Sequence, residues 1–308
     1  MKRRRSFLRR ALIMGFFALA MGGVFLALPG EEKRNDPGWE ENNPSPHYAP
    51  LPEGEERPLP REEREGGPEE IEEPLPERPW ISIVIDDFGF SRAMAEEYSG
   101  VDLPITWAII PFQPQSENSA KRAASAEIPF IIHMPMGAQG DTTWTEKSGV
   151  IDKGMSAETV TLLLRKAMAS LPEAQGMNNH RGSRATADKA TMEMVMNELA
   201  ATSLFFLDSR TSSSSVAYDT ARKKGMAAGY ASVFLDNETS EESMEIQFRR
   251  GLAMAGKRGW VVMIGHTRPD TLNFLRKKSA VPPEGGTYVT LPALMDLLKR
   301  PQHPSPAL

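Results

Sequence analysis

Three of the chain's five histidines fall where a strand-like run meets a polar segment. His133 closes Phe-Ile-Ile-His, His266 closes Trp-Val-Val-Met-Ile-Gly-His, and His180 sits in the polar turn Gly-Met-Asn-Asn-His-Arg-Gly. Acids stand at matching points: Asp86 and Asp87 after Ile81 to Ile85, Asp208 after Phe-Phe-Leu, and Asp236 after Val-Phe-Leu. Imidazole nitrogen with carboxylate oxygen is the donor set of zinc and related divalent ions. Three protein ligands leave one position open, and a cation held that way lowers the pKa of a water toward about 7 and polarises a carbonyl. Asp86 and Asp87 are neighbours, so at a strand end their side chains diverge. One can ligate while the other accepts a proton, and His266 can supply a proton to a leaving amine. Each residue also has a structural reading: a histidine at a strand end is often a satisfied core residue, and an aspartate there is often a helix cap. The conjunction is what points to a site.

Other chemistries are excluded or disfavoured. With no cysteine there is no disulfide, thiolate ligand or cysteine nucleophile. No Gly-x-Ser-x-Gly elbow occurs, which argues against serine-hydrolase chemistry. A formal net charge of −5 argues against a general nucleic-acid binder, so no nucleic-acid partner is expected.

The elements that must position these groups alternate. Short apolar runs at 81–85, 105–110, 130–133, 204–208, 232–236 and 260–266 read as buried parallel strands. Between them, residues 157–171 carry apolar residues on one helical face. Asp188 is a candidate cap for a helix through Leu199. Thr239-Ser240-Glu241-Glu242 suggests a capping box opening a helix to Ala255, and residues 291–298 form an amphipathic closing helix. About six or seven βα units suit an α/β barrel or a doubly wound sheet, with the site where strands meet their following loops. No glycine-rich dinucleotide fingerprint follows the first strand.

The first part of the chain differs. Residues 11–28 are an uncharged apolar run behind Lys2, Arg3, Arg4, Arg5, Arg9 and Arg10. Such a run is long enough to span a bilayer with a cytoplasmic N-terminus. Residues 1–30 are therefore expected to be a membrane anchor or a cleaved signal segment, which places the remainder in the periplasm. Residues 31–79, rich in Glu and Pro, read as a disordered linker. Residues 80–300 then form the folded domain and 301–308 a disordered tail.

Taken in order, Ile85-Asp86-Asp87-Phe88-Gly89, His133-Met134-Pro135-Met136, Asn178-Asn179-His180-Arg181-Gly182-Ser183, Leu207-Asp208-Ser209-Arg210 and Ile264-Gly265-His266 resemble the divergent polysaccharide deacetylases, related to the NodB-type carbohydrate esterases. The resemblance implies a distorted (β/α) barrel of about seven strands. It also implies metal-dependent removal of acetyl groups from an acetylated polysaccharide or peptidoglycan-type substrate. By the same resemblance Asp86 matches the general base, Asp87 and His133 match metal ligands, and His266 matches the general acid. The superfamily's second metal histidine would fall four residues after His133, where this chain has Gly137. His180 is expected to replace it, with zinc as the default ion. Arg184 is expected to orient Asp86, and Asn179, Asp208 and Trp144 are candidate substrate contacts. Two rival readings remain: a glycan-binding envelope module without turnover, and a metal hydrolase with a non-sugar substrate such as a phosphoester.

Overall fold

A computed structural model describes residues 79–142, 148–279 and 286–299. The expected membrane segment, linker and tail, together with Trp144, lie outside the described residues. Among those residues no helix is long and apolar enough to cross a membrane.

The chain runs β1 (Trp80–Phe88), α1 (Arg92–Tyr98), β2 (Ile105–Ile109), α2 (Ser116–Ser125), β3 (Phe130–Met136), α3 (Ala157–Ser170), β4 (Gly176–Arg181) and α4 (Lys189–Leu199). It continues through β5 (Phe205–Asp208), α5 (Ala217–Lys223), β6 (Ala228–Tyr230), β7 (Val233–Phe234), α6 (Glu241–Arg258), β8 (Trp260–His266), α7 (Pro269–Ser279), β9 (Thr287–Tyr288) and α8 (Leu291–Lys299). The strands form one sheet in the order β6-β5-β4-β3-β2-β1-β8-β7, and β9 pairs with β1. Every ladder is parallel.

The architecture is a parallel-strand α/β half-barrel. The closed ring of about seven strands expected from sequence is interrupted between β6 and β7, which do not pair with each other. The segment containing both hydrogen-bonds to β5 through its first half and to β8 through its second, by way of Ala231 N to Asp208 O and Ser232 N to Val262 O. A single backbone therefore spans the gap that a ladder would fill.

Residue alternation explains where the site lies. On one face Ile81, Ile83 and Ile85 of β1 pack with Trp107, Ile132, Met134 and Met263 under the helices. On the other face Val84, Ala108, Ile131, Leu207, Val262 and Ile264 pack against Leu291, Leu294 and Met295 of α8. Each inward row then turns polar at its C-terminal end. Two residues beyond Val84 stands Asp86, beyond Ile131 stands His133, and beyond Ile264 stands His266. A period of two keeps all of these on the inner face, and β1–β8 pairing sets Asp86 directly beside His266.

Helix ends follow local chemistry. Asp188 accepts from Thr191 N at 3.0 Å as the expected cap of α4. Ser240 caps α6 through Ser243 N, but the third helical residue is Ser243 rather than an acid, so only half of the expected capping box forms.

Candidate metal centre

Asp87 sits in a left-handed backbone conformation, with φ 69°. The β1–β2 register also shifts between Ile85 and Phe88, as at a bulge. Aspartate tolerates this conformation better than most residues, though it still costs about 1–2 kcal/mol. The kink changes the expectation that adjacent aspartates diverge. Both carboxylates reach the same imidazole: His133 Nε2 lies 3.6 Å from Asp86 Oδ2 and 3.3 Å from Asp87 Oδ1.

His180 completes the cluster. Its Nδ1 lies 3.0 Å from Asp87 Oδ1 and 3.1 Å from His133 Nε2. One ligand atom from each of Asp87, His133 and His180 can be chosen so that all three lie within 4.8 Å of one another. His180 is not in a turn, as its polar surroundings suggested; it is the fifth residue of β4, whose Asn178 and His180 follow the inward alternation. β4 ends immediately afterwards, where Arg181 and Gly182 take φ 57° and 91°.

The donor set fits a divalent cation. Asp87 Oδ1 is buried yet has no hydrogen bond of acceptable geometry, although two ring nitrogens stand close to it. His133 Nδ1 faces Asn178 Oδ1 at 2.8 Å, leaving Nε2 to present a lone pair toward Asp87. One carboxylate oxygen and two imidazole nitrogens gathered in a buried place are a donor set that a divalent cation satisfies. Asp87 is 28% exposed and His180 13%, so the cluster opens to solvent on their side while Asp86 and His133 lie behind.

Electrostatics separate the roles of the two carboxylates. Burial pushes the Asp86 carboxyl above the usual range, against the opposing pull of His133 and His266. Burial also pushes Asp87 up, but His180 and His133 outweigh it and hold Asp87 well below the usual range. Burial lowers His180; for His133 the adjoining Asp86 and Asp87 overcome burial and raise it.

His266 is held from the opposite side of Asp86. Its Nδ1 lies 2.7 Å from Asp236 Oδ1, its backbone N donates to Asp236 Oδ2 at 2.8 Å, and Thr271 Oγ1 donates to the same oxygen at 2.6 Å. Burial alone would lower this imidazole, but Asp236 outweighs it and raises the pKa to about 9. Asp236 moves the other way: His266 overcomes burial and holds the carboxyl below the usual range. Tyr98 of α1 donates to the backbone O of His266 at 2.9 Å and of Arg268 at 3.1 Å, fixing the turn after β8.

Several expected contacts are corrected. Arg184 does not orient Asp86; its Nε and Nη2 pair with Asp152 at 3.0 and 2.5 Å, and its other donors reach the carbonyls of Asp141 and Thr142. Asn179 is committed at both ends, accepting from Ser209 N at 2.9 Å and donating to Arg181 O at 2.7 Å. Asp208 faces the helix side, where it accepts from Ser215 Oγ and from the backbone of Arg210 and Tyr218. Both therefore brace loops at the strand ends. Asn178 and Asp236 hold the site's histidines. In the sequence Asp236 stands among the strand-end acids without a role, and Asn178 belongs to a quoted motif whose run of polar residues reads as a turn.

The absent second histidine has a structural cause. A Cβ at Gly137 would meet Asp152 Oδ1 at 2.1 Å and Cγ at 2.3 Å. Gly137 O accepts from the backbone of Arg184 and Ala185, so the position lies against the Asp152–Arg184 pair. Gly137→Ala is therefore expected to destabilise the fold by about 1–3 kcal/mol, the range for forcing atoms into a packed site. Urea unfolding of the variant reads this, and an unchanged midpoint would refute the close packing.

The family follows from the sequence profile described as divergent polysaccharide deacetylase, which matches residues 83–295. The chain belongs to that family. Its relatives include the uncharacterised protein YibQ of Escherichia coli K12, 30% identical over 223 residues covering 72% of this chain and 68% of YibQ. An uncharacterised Haemophilus influenzae protein is 36% identical over 196 residues, covering 64% of this chain and 69% of its own length. Among solved structures, ATU2773 of Agrobacterium tumefaciens C58 superposes with a TM-score of 0.67 at 20% identity, covering 71% of this chain and 89% of that one. At that identity the likeness speaks to the fold alone. The family match spans β1 through α8 and so contains every residue of the metal cluster.

Proposed function

We propose that the protein is a metal-dependent hydrolase that removes acetyl groups from envelope carbohydrate. The observation that carries this reading is the convergence of Asp87 Oδ1, His133 Nε2 and His180 Nδ1, with Asp86 and His266 paired beside them. A divalent cation, zinc by default, would be held by Asp87, His133 and His180 and would supply Lewis acidity toward a carbonyl and acidify water.

The chain's own residues supply the proton transfers. Asp86, raised by burial, accepts the proton of the attacking water as its oxygen bonds to the acetyl carbon. His266, charged and held by Asp236, gives its Nε2 proton to the amine or hydroxyl as the bond from carbonyl carbon to nitrogen or oxygen breaks. Acetate and the deacetylated sugar result. Phe90 and Phe112, 40% and 52% exposed, follow β1 and β2 at this same end of the sheet. Exposed apolar rings at the end of the sheet that carries the site suit a sugar, which offers one face of C–H groups and a rim of hydroxyls.

The test is acetate release from N- and O-acetylated glycans by purified protein of measured metal content. Turnover that disappears with chelator and returns with zinc supports the reading. No release from any acetylated glycan by fully metal-loaded protein overturns it. A second reading, a glycan-binding module without turnover, is favoured by the loss of the histidine position at Gly137. It requires glycan binding that survives replacement of both Asp86 and His266. The basic flank and apolar run before the domain support anchoring at the inner membrane with the domain in the periplasm, and cell fractionation of the full chain tests that placement.

A further inference from the structure

Asn178 is fully buried between two functional side chains, Asp86 and His133. It stands opposite His133 in the β3–β4 ladder, so their inward side chains are neighbours. The Asn178 Nδ2 lies 3.0 Å from Asp86 Oδ1 and 3.2 Å from Ser209 Oγ, and its Oδ1 lies 2.8 Å from His133 Nδ1.

Only one orientation of this carboxamide satisfies its surroundings. Reversed, it would set a carbonyl oxygen against the Asp86 carboxylate, two acceptors face to face in a buried place, where an unmet polar group costs about 1–3 kcal/mol. The amide nitrogen therefore faces Asp86 and the carbonyl faces His133. That carbonyl needs a donor, so His133 carries its proton on Nδ1 and its lone pair on Nε2.

We propose that Asn178 is a positioning residue whose single carboxamide sets the tautomer of His133 for metal ligation and aims Asp86 Oδ2 into the same pocket. The inference rests on the metal-site reading above and adds that ligand and base are oriented by one group. Asparagine suits the task because it offers an acceptor and a donor without charge. A carboxylate there would accept from His133 but repel Asp86, and a leucine of similar size would do neither.

The test reads His133 without any substrate. Nitrogen-15 NMR of the metal-free protein, at a pH where the ring is neutral, should show His133 protonated at Nδ1. In Asn178→Leu the ring should shift toward the Nε2-protonated form, and zinc affinity by calorimetry should fall about 10- to 100-fold, as for other groups that orient metal ligands. Asn178→Asp, close to isosteric, should keep the Nδ1 proton. Thermal melts confirm that each variant is folded. The inference is overturned if wild-type His133 is protonated at Nε2, if Asn178→Leu leaves tautomer and affinity unchanged, or if Asn178→Asp loses the Nδ1 proton. Because none of these readouts involves turnover, a protein that shows them but releases no acetate keeps this inference and loses the hydrolase reading.

Discussion

In the Asp87→Ala protein, bound divalent metal should fall to background and acetate release with it. Asp87 is the only anion in the three-residue cluster and supplies the oxygen toward which both imidazoles converge. Lewis-acid stabilisation of a developing charge is worth several kcal/mol, and at about 1.4 kcal/mol per tenfold the loss is on the order of 10³-fold in kcat/KM. The backbone at φ 69° disfavours alanine, so Asp87→Asn is the companion variant. Asparagine also tolerates that conformation, which separates loss of the charge from loss of the fold. Metal content by elemental analysis and acetate release read the two effects. Full metal content with undiminished turnover in either variant would sink the proposed centre.

The second large effect is expected at Asp236, a residue that touches neither the metal cluster nor Asp86. Asp236 raises His266 to about 9 from an ordinary value near 6.5. A histidine raised on folding contributes stability that is fully present below about 6.5 and is lost as pH rises through about 9. Asp236 is lowered, so its contribution is present above the ordinary aspartate value near 3.8 and is lost as pH falls through its own folded value. The pair thus stabilises the native state across neutral pH. Asp236→Asn should abolish the stability loss near pH 9, bring the NMR titration of His266 in metal-free protein down toward 6.5, and move the alkaline limb of turnover the same way. Breaking a buried ion pair from one side costs about 3–5 kcal/mol, moderated here because asparagine can still accept from Thr271. If the His266 titration is unmoved in the variant, the proposed coupling between the two residues is wrong.

The sequence made the strand ends legible because chemistry there interrupts apolar runs. Val84, Ile131 and Ile264 belong to rows that read as buried strands, and the polar residues closing those rows were conspicuous. β4 is hard to read for the converse reason: of Gly-Met-Asn-Asn-His-Arg only Met177 is apolar, and four polar residues in succession look like a turn. Its polarity is explained by what it faces, since Asn178 and His180 point into the site while Asn179 pins the next loop. The role that the family resemblance gives Arg184 is not met, because that resemblance carries no sign of Asp152, 32 residues earlier, which takes the guanidinium instead. Nor could any pattern in the sequence report that β6 and β7 leave the ladder open, because both lie within a few residues of one another.

The order of strands across the sheet has a consequence for how the protein comes into being. β1 is the first strand of the domain to leave a ribosome, yet it lies between β2 and β8, and its start also pairs with β9. It waits for nearly the whole domain to be translated before its second edge is covered. Such distant pairing is slow to form, and until then a strand of isoleucines and valine is open to wrong partners. A chain that stops before β8 would leave Asp86 without His266 beside it. Truncated products should therefore fail as a whole, without a partly working remnant, and the nascent chain is a natural client for holding chaperones.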